Sequence, residues 1–340
     1  MWILAALLVT AFAAKPTTVE EFLAEPVEEH VEQLSEQAFV DYINEHQSFY
    51  RAEYSPEADA FVRARIMSPK LLGKPTKGKV WTPIRDEEPP ESFDARTQWP
   101  ECKSIRTVRD QSHCGSCWAV ASASAMSDEL CVQSNSAINV IVSDTDILSC
   151  SGSGGCGGGW PVFAFLWMRN HGVVTGGKYR QKNVCKPYAF YPCGPHKDES
   201  FYGPCPKDSW PTPKCRKRCQ HKYKKSYEED KYFAKEAYSL SDDEKLIRQW
   251  IYEHGPVVAT FTVYKDFKNY KEGIYVHKYG DNMGLHAVKI IGWGRENGTD
   301  YWLIANSWNT DFGENGYFRI LRGKNHCGIE NQIDTAIMKV

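Results

Sequence analysis

Gln111-Ser112-His113-Cys114-Gly115-Ser116-Cys117-Trp118 ends on a cysteine that opens the Ala- and Ser-rich run Cys117 to Val132. The apolar spacing of that run predicts a buried helix with Cys117 in its first turn. There the unpaired amides and the helix dipole favour a negative thiolate. An unperturbed cysteine has a pKa of about 8.5, so a thiol nucleophile needs this help. Gly115 lets the backbone turn sharply and leaves the approach to Cys117 open. A nucleophile also needs a base. His286 opens the apolar strand-like run His286-Ala287-Val288, which would hold an imidazole on rigid backbone. Twenty residues later, Asn306-Ser307-Trp308 offers an amide oxygen to orient that ring and an indole to shield the bond from water. The chemistry implied is nucleophilic attack by a thiol. A zinc site is the rival, but Cys114-x-x-Cys117 lacks a matching second pair.

The elements that position these groups follow from composition. The chain has 340 residues, 42% hydrophobic and 13% aromatic, enough to fill a core and too much for wholesale disorder. A net charge of −2 gives no field for nucleic acid. MWILAALLVTAFAA carries an apolar run too short to span a bilayer and a small-residue cleavage site, so residues 1–13 read as a signal peptide. A secreted or lumenal chain without a membrane anchor follows, and disulfides become the default use of its twelve cysteines.

Lys15 to Glu88 has a net charge of −6 and no cysteine; the remainder carries +4 and all twelve. Leu34, Ala38, Phe39, Tyr42 and Ile43 share one helical face, with Ser35 as the cap. Lys70 to Pro90 reads as an exposed, cleavable linker. This is the composition of a removable pro-segment. Lys182 to Cys219, with five cysteines and many prolines, reads as a disulfide-pinned loop. From Pro256 the runs VVATFTVY, HAVKIIGWG, YWLIANSW and GYFRILRG predict a twisted antiparallel sheet or small barrel. The expectation is an α+β chain, a helical half and a β-rich half, with the site between them.

Cys114-Gly115-Ser116-Cys117-Trp118, with His286 and Asn306 downstream, resembles the signature of the papain family of cysteine proteases. His286 and Asn306 lie 169 and 189 residues after Cys117, beyond the usual interval of about 130–150, which matches an insertion at Lys182–Cys219. That insertion, with Ser92–Arg96, Thr212–Cys215, Gly292–Gly294 and Asn306–Asp311, resembles the cathepsin B-like branch and its occluding loop. The resemblance implies a papain-like fold of two domains, a helical left and a β-barrel-like right, with the cleft between. It implies a signal peptide (1–13), an inhibitory propeptide (14–88) and a mature peptidase (89–340), divided at 235/236. It assigns Cys117 as nucleophile, His286 as base and later acid, Asn306 as its orienter, and Gln111 as the side-chain donor to the oxyanion. Gly158 and Gly159 would bond an extended substrate, and Trp160, Thr260, Ala287 and Gln332 would line the pocket for the second residue before the cut.

The resemblance also implies the pairs Cys102–Cys131, Cys114–Cys156, Cys150–Cys215, Cys185–Cys219 and Cys193–Cys205, leaving Cys117 and a buried, inert Cys327. No cofactor or metal is implied. Protein and peptide substrates, the chain's own propeptide and cystatin-type inhibitors are the implied partners, in a secreted, lysosomal, endosomal or gut-lumen setting. Two departures bear on specificity. Pro195-His196 stands where the branch carries two histidines that hold a substrate's C-terminal carboxylate, so endopeptidase activity is expected over dipeptide release, although Asp110, partner of the missing histidine, is kept. Gln332 replaces an acid, which favours bulky apolar side chains over Arg. Tyr301 to Glu314 resembles a motif of haemoglobin-degrading cathepsin B-like proteases of parasitic worms, and Asn297-Gly298-Thr299 is a glycosylation sequon.

Overall fold

The computed structural model describes residues 15–68, 78–197 and 199–340. The expected signal peptide and the first part of the linker, 70–77, lie outside them.

The N-terminal arm carries α1 (Val19–Ala24), α2 (Glu36–His46), β1 (Tyr50–Ala52), α3 (Ala58–Arg63) and β2 (Lys79–Trp81). The expected helix begins two residues later than its apolar face suggested, and Ser35 sits at its N-cap without a side-chain capping bond. Lys79–Trp81, read as linker, is a strand because Trp81 packs edge-on against Trp250 and Tyr238. The body follows with β3 (Phe93–Asp94), α4 (Cys117–Gln133), α5 (Asp144–Cys150), α6 (Pro161–His171), β4 (Ala234–Leu240), α7 (Glu244–His254), β5 (Val257–Tyr264) and β6 (Tyr270–Tyr275). β7 (Asn282–Glu296), β8 (Thr299–Ala305), β9 (Tyr317–Leu321) and β10 (Ile333–Met338) complete it. No helix or strand occurs among the described residues of 182–219.

The ten strands form one sheet in the order β1-β6-β9-β8-β7-β5-β10-β4-β2, with β3 on β7. Pairing is antiparallel except at β6–β9 and β2–β4. The arm therefore supplies both outermost strands.

α4 is buried from Cys117 to Val132, so it needs an all-round small and apolar surface rather than a polar face. Its serines satisfy themselves within the helix: Ser122 Oγ donates to Trp118 O at 2.7 Å and Ser127 Oγ to Ala123 O at 2.6 Å. Its one ion pair, Asp128 with Lys289 of β7 at 2.5 Å, is fully buried. Removing either partner would strand a charge, at a cost of about 3–5 kcal/mol. The pair ties the helix that starts at Cys117 to the strand that carries His286.

The arm is held by apolar contact and by cations of the body. Phe22, Phe39 and Ile43 are fully buried, and Tyr42 and Phe22 meet Tyr279 edge-on. Lys268 reaches Glu36 at 2.7 Å and Asp59 at 3.5 Å, and Lys278 reaches Glu25 at 3.6 Å. Burial pushes the Asp59 carboxyl up, but Arg63 and Lys268 outweigh it and hold it below the ordinary value. Gly273 faces Tyr50 across β1–β6 with φ +96°; a Cβ there would lie 2.5 Å from the Phe49 carbonyl.

Candidate active site

Ser116 caps α4, so Cys117 is its first helical residue. His286 projects from β7, where it faces Phe261 of β5 in register. Asn306 follows the last residue of β8, and its Oδ1 lies 2.8 Å from His286 Nε2. The same oxygen accepts from the Ser307 amide at 2.8 Å, which fixes the side chain. Trp308 stacks on the imidazole with centroids 4.5 Å apart. His286 Nδ1 has no hydrogen-bond partner, so it is the ring nitrogen free to exchange a proton.

Gln111 Nε2 donates to Arg65 O at 2.7 Å and to Cys114 O at 2.8 Å. A carbonyl of the N-terminal arm thus occupies the position where this amide would meet a substrate oxygen. Two residues on, Met67 pairs with Leu285: the Met67 amide donates to the Leu285 carbonyl at 2.7 Å and the Leu285 amide to Met67 at 2.9 Å. The arm crosses the site and joins β7 through this one antiparallel bridge, a residue away from His286. Gly115 sits below it. A Cβ there would lie 2.6 Å from Cys156 O and 3.3 Å from Ile66 O.

The arm leaves Cys117 and His286 fully buried. Burial pushes the thiol up to about 12, despite nearby backbone amides, and the imidazole down to about 4, despite Asn306. Both groups are neutral between those values, so no thiolate is present in this form.

Half-buried His326, beside His277, is likewise pushed down to about 4 by desolvation. An unfolded histidine protonates near 6.5. Between about pH 6.5 and 4 the unfolded chain therefore binds more protons, and folded stability falls as pH drops through that window. The thermal midpoint should decline by several degrees from pH 6.5 to 4. His326→Gln, which keeps an acceptor for the His277 amide, should flatten the decline and leave the midpoint at pH 7 nearly unchanged. Scanning fluorimetry across that range checks both.

Sequence reasoning missed Ser307 and Tyr188. Ser307 Oγ donates to Gln111 Oε1 at 2.7 Å, which turns Nε2 toward the cleft. Tyr188 OH donates to the Gln111 carbonyl at 2.8 Å and lies 2.9 Å from Ser116 Oγ. Ser307 was visible only as the neighbour of Asn306, and Tyr188 gave no signal. Gln111→Ala should lower kcat by about 10²–10³. Ser307→Ala keeps the donor but frees its rotation, so a loss of roughly tenfold is expected, read as kcat rather than KM.

The remaining expected residues divide in two. Thr260 and Ala287 face each other across β5–β7, and the Thr260 amide donates to Gln332 O at 3.1 Å, so these three share one wall. Gln332 Nε2 donates to Asp334 at 2.9 Å. Gly158, Gly159 and Trp160 form the turn before α6; a Cβ on Gly159 would strike the Trp118 ring at 2.8 Å. His196 is set apart. Its Nδ1 lies 2.8 Å from Asp311 Oδ2, and Nε2 lies 3.5 Å from Asp110 without hydrogen-bond geometry.

Disulfides join Cys102 to Cys131, Cys114 to Cys156, Cys150 to Cys215, Cys185 to Cys219 and Cys193 to Cys205. Cys117 and Cys327 are free; Cys327 is partly exposed, not buried, because it lies in a surface turn. His113 lies with Cys193 and Cys205 in a metal-like grouping, but the two sulfurs are bonded to each other. Asn297 is exposed at the β7–β8 hairpin with φ +50°. No described helix is long and apolar enough to cross a membrane.

Known proteins share this arrangement. The sequence profile described as papain family cysteine protease matches residues 89–337. The chain is 45% identical over 312 residues to cathepsin B-like cysteine proteinase 4 of Caenorhabditis elegans, covering 90% of this chain and 93% of that protein. It is 44% identical to cathepsin B-like cysteine proteinase 1 of Ostertagia ostertagi, covering 92% and 93%. Among solved structures, procathepsin B S9 from Trypanosoma congolense superposes with a TM-score of 0.74 at 34% identity, covering 91% of this chain and all of that one. Procathepsin L2 of Tenebrio molitor, at 22% identity and a TM-score of 0.62, shares the fold.

Proposed function

The chain belongs to the papain family of cysteine proteases, in its cathepsin B-like branch, and from that premise we propose an endopeptidase, secreted or lysosomal, that digests proteins at acid pH. Residues 14–88 are its inhibitor and 89–340 the mature enzyme. One observation carries the zymogen reading: the Arg65 carbonyl held by Gln111 Nε2 at 2.7 Å.

Once the arm leaves, water reaches the cleft, and the Cys117 proton passes to His286 Nδ1. The thiolate attacks the scissile carbonyl carbon, and the oxyanion is held by Gln111 Nε2 and the Cys117 amide. His286 gives its proton to the leaving amine, a thioester remains, and water taken through the same imidazole releases the acid and restores the thiol. Asn306 keeps Nε2 occupied so that Nδ1 alone faces the reaction. No step requires a metal or organic cofactor. Cystatin-type inhibitors would compete for the cleft that the arm fills.

The endopeptidase reading is supported by His196. Its ring is 7% exposed and faces two carboxylates, so a substrate's terminal carboxylate would approach beside Asp110, a like charge. Haemoglobin as a substrate rests on the Tyr301–Glu314 resemblance alone. The test is paired. An internally quenched peptide with blocked ends should be cleaved at acid pH, and a matched peptide with a free C-terminus should release little dipeptide. Efficient dipeptide release would overturn the reading of Pro195-His196. In the same assay Phe or Val should be preferred to Arg two residues before the cut, and equal cleavage would overturn the reading of Gln332.

A further inference from the structure

His113, Cys193 and Cys205 bring one ring nitrogen and two sulfurs within 4.8 Å of one another. His113 stands four positions before Cys117 and takes no part in the reaction derived above. Its Nδ1 is buried and has no hydrogen-bond partner among the described residues. The two sulfurs belong to the disulfide that closes the tightest loop of the five, with a sequence separation of 12. Cys193 is buried, whereas Cys205 reaches the surface.

The loop does not depend on that disulfide alone for its position. The Ser112 hydroxyl donates to the Tyr191 carbonyl at 2.8 Å, and the Trp210 amide to the His113 carbonyl at 2.8 Å. The Trp210 indole donates to Ser112 Oγ at 3.1 Å. Both ends of the loop are therefore bonded to the dipeptide that carries the imidazole. Within the loop the Gly194 amide donates to the Gly203 carbonyl at 2.9 Å, which holds its two limbs together beside the cysteines. Opening the S–S bond thus leaves two thiols and an imidazole in place, a preorganised set of soft ligands.

We propose that reduction of the Cys193–Cys205 bond turns this cluster into a site for one zinc ion, which then replaces the disulfide as the cross-link of the loop. The reductant is a small-molecule thiol. The peptidase reading supplies it, because a nucleophilic Cys117 is lost to oxidation unless thiols keep it reduced. The first thiolate attacks Cys205, the more exposed partner, and Cys193 leaves as a thiolate and takes a proton. A second thiol frees Cys205 and departs with the first as a small-molecule disulfide, so two electrons and two protons enter the chain. Zinc then binds both sulfurs and the imidazole nitrogen and releases those two protons. Three protein ligands leave the fourth tetrahedral position to water. Thiolates and imidazole suit zinc, whereas magnesium and calcium take oxygen ligands.

The experiment uses the full-length chain carrying Cys117→Ala, which removes the competing thiol and any proteolysis. At neutral pH one portion stays oxidised and another is treated with tris(carboxyethyl)phosphine without denaturant. Alkylation and peptide mapping identify the bond that opens, and circular dichroism follows the fold. Zinc is titrated in competition with a chromophoric chelator, and cobalt(II) serves as a spectroscopic stand-in. The treated chain should open Cys193–Cys205 while folded and bind one zinc ion that the oxidised chain does not. With cobalt it should show a sulfur-to-metal charge-transfer band. His113→Ala and the closer-sized His113→Asn should each weaken zinc binding at least about tenfold, and the exposed control His30→Ala should stay within about threefold. Mapping of the oxidised variants should return the five parental disulfides. A bond that opens only on unfolding, equal zinc binding by the oxidised and reduced chains, or unchanged binding in the His113 variants would overturn the site. The chain tested is inert, so failure here leaves the peptidase reading intact.

Discussion

Cys117→Ser is expected to lower kcat/KM on a peptide substrate by about 10⁴–10⁶-fold and to leave the fold in place. The exchange changes one atom at the start of α4, a residue that is fully buried and free of disulfides. What it removes is ionisation. A helix N-terminus beside an imidazolium can stabilise a thiolate, but a seryl hydroxyl holds its proton far too tightly to follow. His286→Ala should cost nearly as much, and the double variant no more than either alone, because the two groups act as one unit. The His286 ring stacks on Trp308 and meets Phe261, so its loss also disturbs packing; Cys117→Ser is the cleaner test. A second readout needs no substrate. If maturation is self-catalysed, the serine variant kept at acid pH should remain full length while the wild type shortens by its N-terminal arm. Activity within tenfold of wild type would remove Cys117 from the mechanism.

The second large effect concerns the same sulfur before and after the arm departs. With the thiol pushed up to about 12, the thiolate fraction at pH 6 is roughly 10⁻⁶. In a family member whose cysteine pairs with histidine, that pKa is about 3–4, and ionisation is then nearly complete. Nucleophilicity falls with basicity, which returns about 10³–10⁴ of that difference. Alkylation by iodoacetamide at pH 6 should therefore be about 10²–10³ times faster in the activated enzyme than in the zymogen, before any steric shielding is counted. Equal rates would mean that the arm does not control the charge state of the pair. The proton count yields a corollary. Above about pH 4 the covered pair holds one proton on sulfur, and the uncovered ion pair holds one on nitrogen. Uncovering therefore takes up no proton at the active site across the mildly acid range. Any acid dependence of release must come from other groups.

The chemistry was more legible than the scaffold. Cys117, His286 and Asn306 announce themselves by residue type and neighbours, whereas Gln111 was assigned only by resemblance to the family pattern. Thr260, Ala287 and Gln332 were grouped by resemblance, and strand register explains why they meet. What sequence could not give was contact between remote segments. Ser307 matters because its hydroxyl reaches Gln111, 196 positions away. Arg65 and Met67 carry no motif; they matter because one meets Gln111 and the other bridges to Leu285 of β7. Three-residue strands have no periodicity to detect, so β1 and β2 went unseen, and the second was read as linker. His196 looked like a lone survivor of a pair. Its setting between Asp110 and Asp311 follows from loop closure, which spacing does not encode.

The two strands that the arm contributes lie at opposite ends of the sheet. Cutting it away would therefore strip β6 and β4 of one neighbour each at the same moment that it freed the cleft. A bare strand border invites pairing with other molecules, the first step of aggregation. Lys271 and Glu272 on one border, and Lys235 and Glu236 on the other, supply charges that discourage such pairing. During synthesis no such exposure arises, because the arm emerges first and is ready to cover each border as it forms. As an inhibitor the arm would thus double as a guard for the nascent sheet until the five disulfides lock the body.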